Sequence, residues 1–364
     1  MAVIIKAPSK YIQGQGELAN LGLHAKKLGS KFFLLASANT RNRIGEAFTQ
    51  SLAKENKEFV FCAFGGQCSK AEIARVMEEC SRAGGDVIVG AGGGKVIDTA
   101  KAAADNLNLP VIIVPTVASN DAPCSGIAVI YNDEGIVVKA QFTQRDPDLV
   151  LVDTEIIAKA PARLFSAGLG DALATWFEAR AAHASGARSM ARGQCSNTAL
   201  KMARLCYDLL LSDGVQALED VKKGQCSQAL ENAVEASIFL SGLGFESGGL
   251  AAAHAVNDGL AHLPQTKGMY HGEKVAFGVL VQLALEKAPQ DELKQVMGFM
   301  KATGLPMTLA QLGIAGAPAE EDIRKVAEAA CVPTQSTKNL PFPVSLDDVY
   351  KAILEADRLG RQYN

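Results

Sequence analysis

Five short apolar runs, each separated from the next by a helical pattern or a turn, constrain this chain more than any other feature. They are residues 31–37 (KFFLLAS), 58–64 (EFVFCAF), 86–92 (DVIVGAG), 110–116 (PVIIVPT) and 148–153 (DLVLVD). Four are nearly continuous in apolar residues, as expected of strands buried on both faces. Between them lie helical patterns such as 69–84 and 95–106. Alternation of this kind predicts a parallel, doubly wound, Rossmann-like α/β sheet. Residues 126–142 break the rhythm, because two β-rich runs flank Asn132-Asp133-Glu134-Gly135 and read as a hairpin. After about residue 160 only helical segments follow, and Pro161 suits a helix start. A chain of 364 residues is long for one core. The expected division is an α/β domain over 1–160 and an all-helical domain over 161–364, sharing a cleft.

Composition excludes several function classes. Net charge is −3 with no basic run, which argues against nucleic acid or an anionic membrane as partner. The apolar run near the start is too short for a signal peptide, and no stretch reaches membrane-spanning length. Eight cysteines are scattered without a CxxC pair. That predicts reduced thiols in a cytoplasmic protein, not a disulfide frame or a thiolate zinc site.

Gly90-Ala91-Gly92-Gly93-Gly94-Lys95 follows the third run and opens the helix that holds Asp98 and Lys101. Glycines at a strand-to-helix turn let backbone N–H groups approach a phosphate, and a pyrophosphate is the natural guest. The spacing is neither GxGxxG nor a Walker A loop, so a tight packing turn is the competing explanation. Residues 115–123 (PTVASNDAP) follow the fourth run and place hydroxyls and Asp121 at the ligand-binding edge of an open sheet. A polar turn is the alternative there.

Three further residues share an apolar setting: Asp171 in AGLGDALATWFEA, His254 in GGLAAAHAVNDGL and His271 in MYHGEKVAFG. Taken singly, Asp171 reads as a cap beginning an apolar helix, His254 as a mid-helix core histidine, and His271 as a cap or turn residue. Taken together, one divalent metal explains all three, and three protein ligands leave a coordination position open. His262 lies two turns after His254 and could border such a site, and Asp258 is a candidate rim carboxylate or a solvated one. His24 and His183 read as surface or structural.

The segments 92–101, 115–131, 168–179, 244–256 and 270–278 resemble the glycerol dehydrogenases, a family within the iron-type, metal-dependent alcohol dehydrogenase superfamily. The likeness extends over nearly the whole chain. It implies a dehydroquinate synthase-like architecture, with a dinucleotide-binding domain over 1–160 and a helical metal and substrate domain over 161–364. It implies that Asp171, His254 and His271 hold one zinc per subunit and form the catalytic set with Asp121, which would contact the polyol. Ser37, Gly93, Gly94, Lys95, Val96, Asp98, Thr116, Ser119, Ser125, Ile127 and Tyr131 fall at cofactor positions, with Ile127 in place of the more usual Leu. The wider superfamily has a fourth ligand, a His, where this chain has Thr175, which favours the zinc type.

The resemblance implies reversible oxidation of glycerol to dihydroxyacetone with NAD, by hydride transfer from C2 and a metal Lewis acid. It also implies a homo-oligomer. Alternatives are another diol or hydroxyketone, such as 1,2-propanediol, and a non-catalytic nucleotide-binding relative. A dehydroquinate synthase activity is disfavoured by the lack of clustered basic residues. Three departures stand out. Ser37 replaces the usual Asp that reads the adenosine ribose, and Arg41 and Arg43 are nearby, so NADP use enters as a hypothesis. Val96 replaces a Thr, and Asn120 another Thr beside Asp121.

Overall fold

The computed structural model describes residues 2–132, 135, 137–316 and 318–363. Six parallel strands form one sheet: β1 (Tyr11–Gly14), β2 (Lys31–Ala36), β3 (Glu58–Ala63), β4 (Val87–Gly92), β5 (Val111–Pro115) and, after the hairpin, β8 (Leu149–Asp153). Their order across the sheet is β1-β8-β5-β4-β2-β3. The helices α1 (Ala38–Lys54), α2 (Lys70–Ala83) and α3 (Gly94–Leu107) connect its strands. Local chemistry sets their ends. The Ser37 and Ser69 hydroxyls accept N–H bonds from the first turns of α1 and α2, and Gly84 and Asn108 close α2 and α3 in the left-handed conformation.

The apolar runs are explained by a core on each face. Phe32 and Leu34 of β2 pack with Val87, Val89, Ile112 and Leu149 on one side. Phe33 and Leu35 pack with Ile88, Ile97, Ile113 and Val150 on the other, and that cluster continues into Phe165, Leu169, Phe177 and Phe277 of the helical half. The run at 58–64 departs from this pattern. It is the edge strand β3, with Phe59 39% exposed. Strand β1 was not foreseen. It is four half-buried residues whose strand character comes from pairing with β8, Tyr11 opposite Val150.

Strand addition reverses between β2 and β4, because β3 lies on one side of β2 and β4 and β5 on the other. Such a reversal opens a ligand crevice at the carboxyl ends of the strands. Here it lies between Ala36 and Ala91, which are paired, so Ser37 and the glycine loop flank it. The foreseen hairpin is present as β6 (Ile127–Tyr131) and β7 (Val137–Phe142), antiparallel with Ile127 opposite Phe142. Asp133 and Glu134 of its turn lie outside the described residues.

The carboxyl-terminal part is helical: α4 (Ala162–Ser185), α5 (Asn197–Lys223), α6 (Ala252–Ala261), α7 (His271–Leu285), α8 (Gln290–Thr303), α9 (Glu320–Cys331) and α10 (Leu346–Tyr363), with shorter pieces between. Two π-helical stretches, Glu235–Leu240 and Gly244–Gly248, were not foreseen. All eight cysteines are free thiols. No described helix is long and apolar enough to cross a membrane.

A buried charge cluster ties the two parts together. Lys6 Nζ lies 2.6 Å from Asp146 and 2.9 Å from Glu246, and both carboxylates are almost fully buried. Glu246 belongs to the second π stretch and also accepts the Gly126 N–H. Removing one partner of a buried ion pair costs about 3–5 kcal/mol. Lys6→Met should destabilise near the low end of that range in urea unfolding, because the lysine keeps 26% exposure. Burial opposes the Lys6 charge, but Asp146 and Glu246 outweigh it and raise the ammonium above its ordinary 10.5. That contribution is complete below pH 10.5 and lost as pH climbs through the raised value. The stability gap between wild type and Lys6→Met should therefore narrow only in strong alkali.

Candidate metal centre and cofactor crevice

Three helices deliver the three expected ligands to one place. One ligand atom each from Asp171, His254 and His271 lies within 4.8 Å of the others. Asp171 does not begin a helix, contrary to the sequence reading. It sits in the interior of α4, which starts at Ala162 and runs unbroken through Gly168-Leu169-Gly170. The glycines mark close packing instead of a helix start. A Cβ on Gly168 would lie 1.9 Å from the Ala118 carbonyl oxygen of the loop after β5, and one on Gly272 would lie 1.8 Å from the Ala167 carbonyl oxygen. His254 is in the first turn of α6, not mid-helix, and His271 is the first residue of α7. Glu273 accepts the Tyr270 N–H at 2.7 Å and pairs with Arg163 at 2.6 Å, which fixes the start of α7 against α4.

The geometry calls for a cation. Asp171 is fully buried, and its Oδ1 lies 3.5 Å from His254 Nε2 and 3.2 Å from His271 Nε2. That oxygen has no hydrogen-bond donor among the described residues. His254 Nδ1 faces the Glu178 carboxylate at 2.5 Å, so a neutral His254 keeps its proton there and turns a lone pair toward Asp171. Two acceptors face each other unless a proton or a metal lies between them. Two imidazoles and a carboxylate form an ordinary donor set for such an ion. In the metal-free chain a second proton on His254 takes that place. Burial opposes ionisation of Asp171, but His271 and His254 outweigh it and hold the carboxyl below its usual range. Burial disfavours charge on His254 too, yet Glu178 and Asp171 raise its basicity well above normal. Asp121 is pushed the other way, by burial and then by the Asp171 charge.

The loop after β5 reaches this centre, since the Asp121 N–H donates to Asp171 Oδ2 at 3.2 Å. Thr116 is buried, and Ser119 is partly exposed. Gly93 caps α3 in an extended conformation and offers no side chain, so the N–H groups of the first turn, at Gly94 and Lys95, are left for a guest. Lys95 is exposed, with its ammonium 5.3 Å from the centre of the Tyr131 ring. Val96, Ser125 and Ile127 are buried. Asp98 is turned inward. Its carboxylate accepts the Val129 N–H at 3.1 Å and lies 3.1 Å from buried Lys101, which donates to Ala122 at 2.9 Å. The Asp98–Lys101 pair thus clamps the hairpin to α3.

Arg41 lies over the Phe61 ring, and Arg43 lines a cavity of about 400 Å³ with Gly16, Ile44 and Lys159. Neither guanidinium is fixed at Ser37, whose hydroxyl is engaged by Thr40. His262 is exposed at the end of α6, and Asp258 is exposed and bonded by Gln335, the solvated alternative. His24 pairs with Glu17 at 2.9 Å, and His183 is exposed. Sequence reasoning missed Glu178 and Gln282, whose side chains are fully buried beside His254. A signal for Glu178 existed, because it follows Asp171 by two helical turns on one face.

Known proteins share this fold and sequence. Residues 8–154 match the family described as iron-containing alcohol dehydrogenase. The chain is 48% identical over 363 residues to a glycerol dehydrogenase of Pseudomonas putida, covering 99% of this chain and 98% of that one. It is 40% identical over 362 residues to a glycolaldehyde reductase of Halobacterium salinarum, covering 100% and 99%. The crystal structure of glycerol dehydrogenase from Schizosaccharomyces pombe superimposes with a TM-score of 0.95 at 36% identity, over 99% of this chain and 92% of that one. Likeness of this extent, on a parallel sheet beside a helical part, makes the chain an oxidoreductase acting on an alcohol. More narrowly, the chain belongs to the glycerol dehydrogenase family of the iron-containing alcohol dehydrogenases.

Proposed function

We propose that the protein reversibly oxidises glycerol to dihydroxyacetone with a nicotinamide cofactor and one zinc ion. The convergence of Asp171, His254 and His271, with Asp171 Oδ1 buried and lacking a donor, carries the reading. When bound, the cation polarises substrate hydroxyls and the nicotinamide accepts hydride. Asp171, His254 and His271 would hold the ion and leave coordination positions for two adjacent hydroxyls. Asp121, anchored to Asp171 through its own N–H, is the residue we assign to hydrogen-bond the polyol. The first turn of α3 and the Lys95 ammonium would receive the pyrophosphate. Gly93, Gly94, Val96, Thr116, Ser119, Ser125, Ile127 and Tyr131 would line the cofactor's path. Asp98 would support that path through Lys101 and Val129.

Ser37 brings no carboxylate to repel a 2′-phosphate, and no arginine is fixed beside it to attract one. We therefore assign NAD as the cofactor with NADP tolerated. The 40% identity to a glycolaldehyde reductase favours a site for small α-hydroxycarbonyls in the reverse direction. We further assign residues 1–160 to the cofactor domain and 161–364 to the metal and substrate domain, in a homo-oligomer that light scattering would size. The test of function is steady-state kinetics with glycerol, 1,2-propanediol and glycolaldehyde, each with the NAD and NADP couples. Chelation should remove activity and zinc should restore it. A protein that binds cofactor but turns over no diol with any divalent metal would overturn the assignment. Preference for NAD by several orders of magnitude would overturn the part resting on Ser37.

A further inference from the structure

The amino end of α6 exposes four successive N–H groups that the helix cannot satisfy by itself. Two buried side chains take all four. The Ala251 and His254 N–H groups donate to Glu178 Oε1 at 2.9 and 3.0 Å. Those of Ala252 and Ala253 donate to Gln282 Oε1 at 3.1 and 3.2 Å. Both side chains are fully buried. Glu178 lies on α4, about two turns beyond Asp171, and Gln282 lies on α7, about three turns beyond His271. Each of the other two ligand-bearing helices therefore sends a second polar side chain to seat the helix of His254.

The two side chains differ in one respect. The Gln282 amide nitrogen turns away, donating to Phe177 at 3.0 Å and Glu286 at 2.8 Å. The second Glu178 oxygen meets the imidazole itself, 2.5 Å from His254 Nδ1. A carboxylate only accepts, so the shared proton sits on Nδ1. From this contact we infer that Glu178 is a positioning residue for the metal centre, holding His254 in the Nδ1–H form with Nε2 aimed at the cation. It touches neither cation nor substrate and acts through His254. The inference rests on the metal reading proposed above.

Glu178→Gln separates this role from simple helix seating. If its carbonyl oxygen keeps the two backbone N–H groups, its NH₂ must donate to Nδ1. That forces the proton onto Nε2, where it blocks ligation. If the amide is flipped, its NH₂ confronts the two backbone donors instead. The near-isosteric change should weaken zinc and cobalt(II) binding by about 10- to 100-fold, the usual size for a residue that orients a ligand.

The experiment is chelator competition for both metals on the full chain, with wild type, Glu178→Gln and Glu178→Asp. It is paired with NMR of the cobalt(II)-loaded wild type for an exchangeable, hyperfine-shifted His254 Nδ1 proton. Expected are that proton in wild type, the stated loss in Glu178→Gln, and partial recovery in Glu178→Asp. A folded Glu178→Gln with wild-type affinity would remove the role, as would an aspartate variant no better than the glutamine one. Should Glu178→Gln fail to fold, the wild-type spectrum decides, and absence of the His254 Nδ1 proton overturns the inference. Wild type that binds neither metal would fell the metal reading itself, whereas wild-type binding with no effect at residue 178 fells only this role.

Discussion

His271→Ala should abolish turnover and leave the fold intact. The imidazole is 44% exposed and its Nε2 lies 3.2 Å from Asp171 Oδ1, so it contributes to the cluster and little to the core. The start of α7 does not depend on it, because Glu273 holds the Tyr270 N–H and Arg163 holds Glu273. A metal Lewis acid supplies several kcal/mol of transition-state stabilisation, so its loss corresponds to roughly a thousandfold or more in rate. Unfolding of the metal-free protein should show a loss of about 1 kcal/mol, the usual size for a single substitution, because buried Asp171 loses a neighbouring imidazole. Bound metal, measured after dialysis, should fall with activity. A variant with near-normal rate and metal content would exclude His271 as a ligand. Asp171→Asn is a less clean probe, since Asp171 is fully buried and also accepts the Asp121 N–H.

Much of this layout is legible in the residues, and the illegible part has physical causes. The runs at 31–37, 86–92, 110–116 and 148–153 read as buried strands because each serves cores on both faces. Tyr11–Gly14 escaped notice because a short edge strand carries little pattern of its own, and its pairing with β8 is a contact across 139 positions, from Tyr11 to Val150. The three ligand candidates stood out as polar groups with nothing charged beside them in sequence. That isolation was apparent only, since His254 has Glu178 against it in space, 76 residues away. The glycines before Asp171 misled in an informative way. Gly168-Leu169-Gly170 looks like the turn before a helix, and a capping Asp was the natural companion. In space the glycines let α4 lie against the loop after β5 and against α7. Local propensity yields there to the need for close approach. The Asp98 carboxylate shows the converse, since a residue of α3 that the resemblance sets at the cofactor is engaged by Lys101 and Val129.

Gly272→Ala should damage fold and metal centre together. A Cβ at residue 272 would fall 1.8 Å from the Ala167 carbonyl oxygen and 3.1 Å from the Asp171 nitrogen. Both are backbone atoms inside α4, so no rotamer change relieves the collision. The helices must separate, and His271, the preceding residue, moves away from Asp171. Overpacking typically costs about 1–3 kcal/mol, and a clash with backbone belongs at or above the upper end. Urea unfolding of the metal-free chain should show that loss, and chelator competition should show weaker zinc binding as well. Gly268→Ala is the matched control four residues earlier, with nothing within 4 Å of its added Cβ. It should shift stability by no more than about 0.5 kcal/mol and leave zinc affinity unchanged. Equal behaviour of the two variants would mean that α4 and α7 part freely, and that their close approach at residue 272 does not set the spacing of Asp171 and His271.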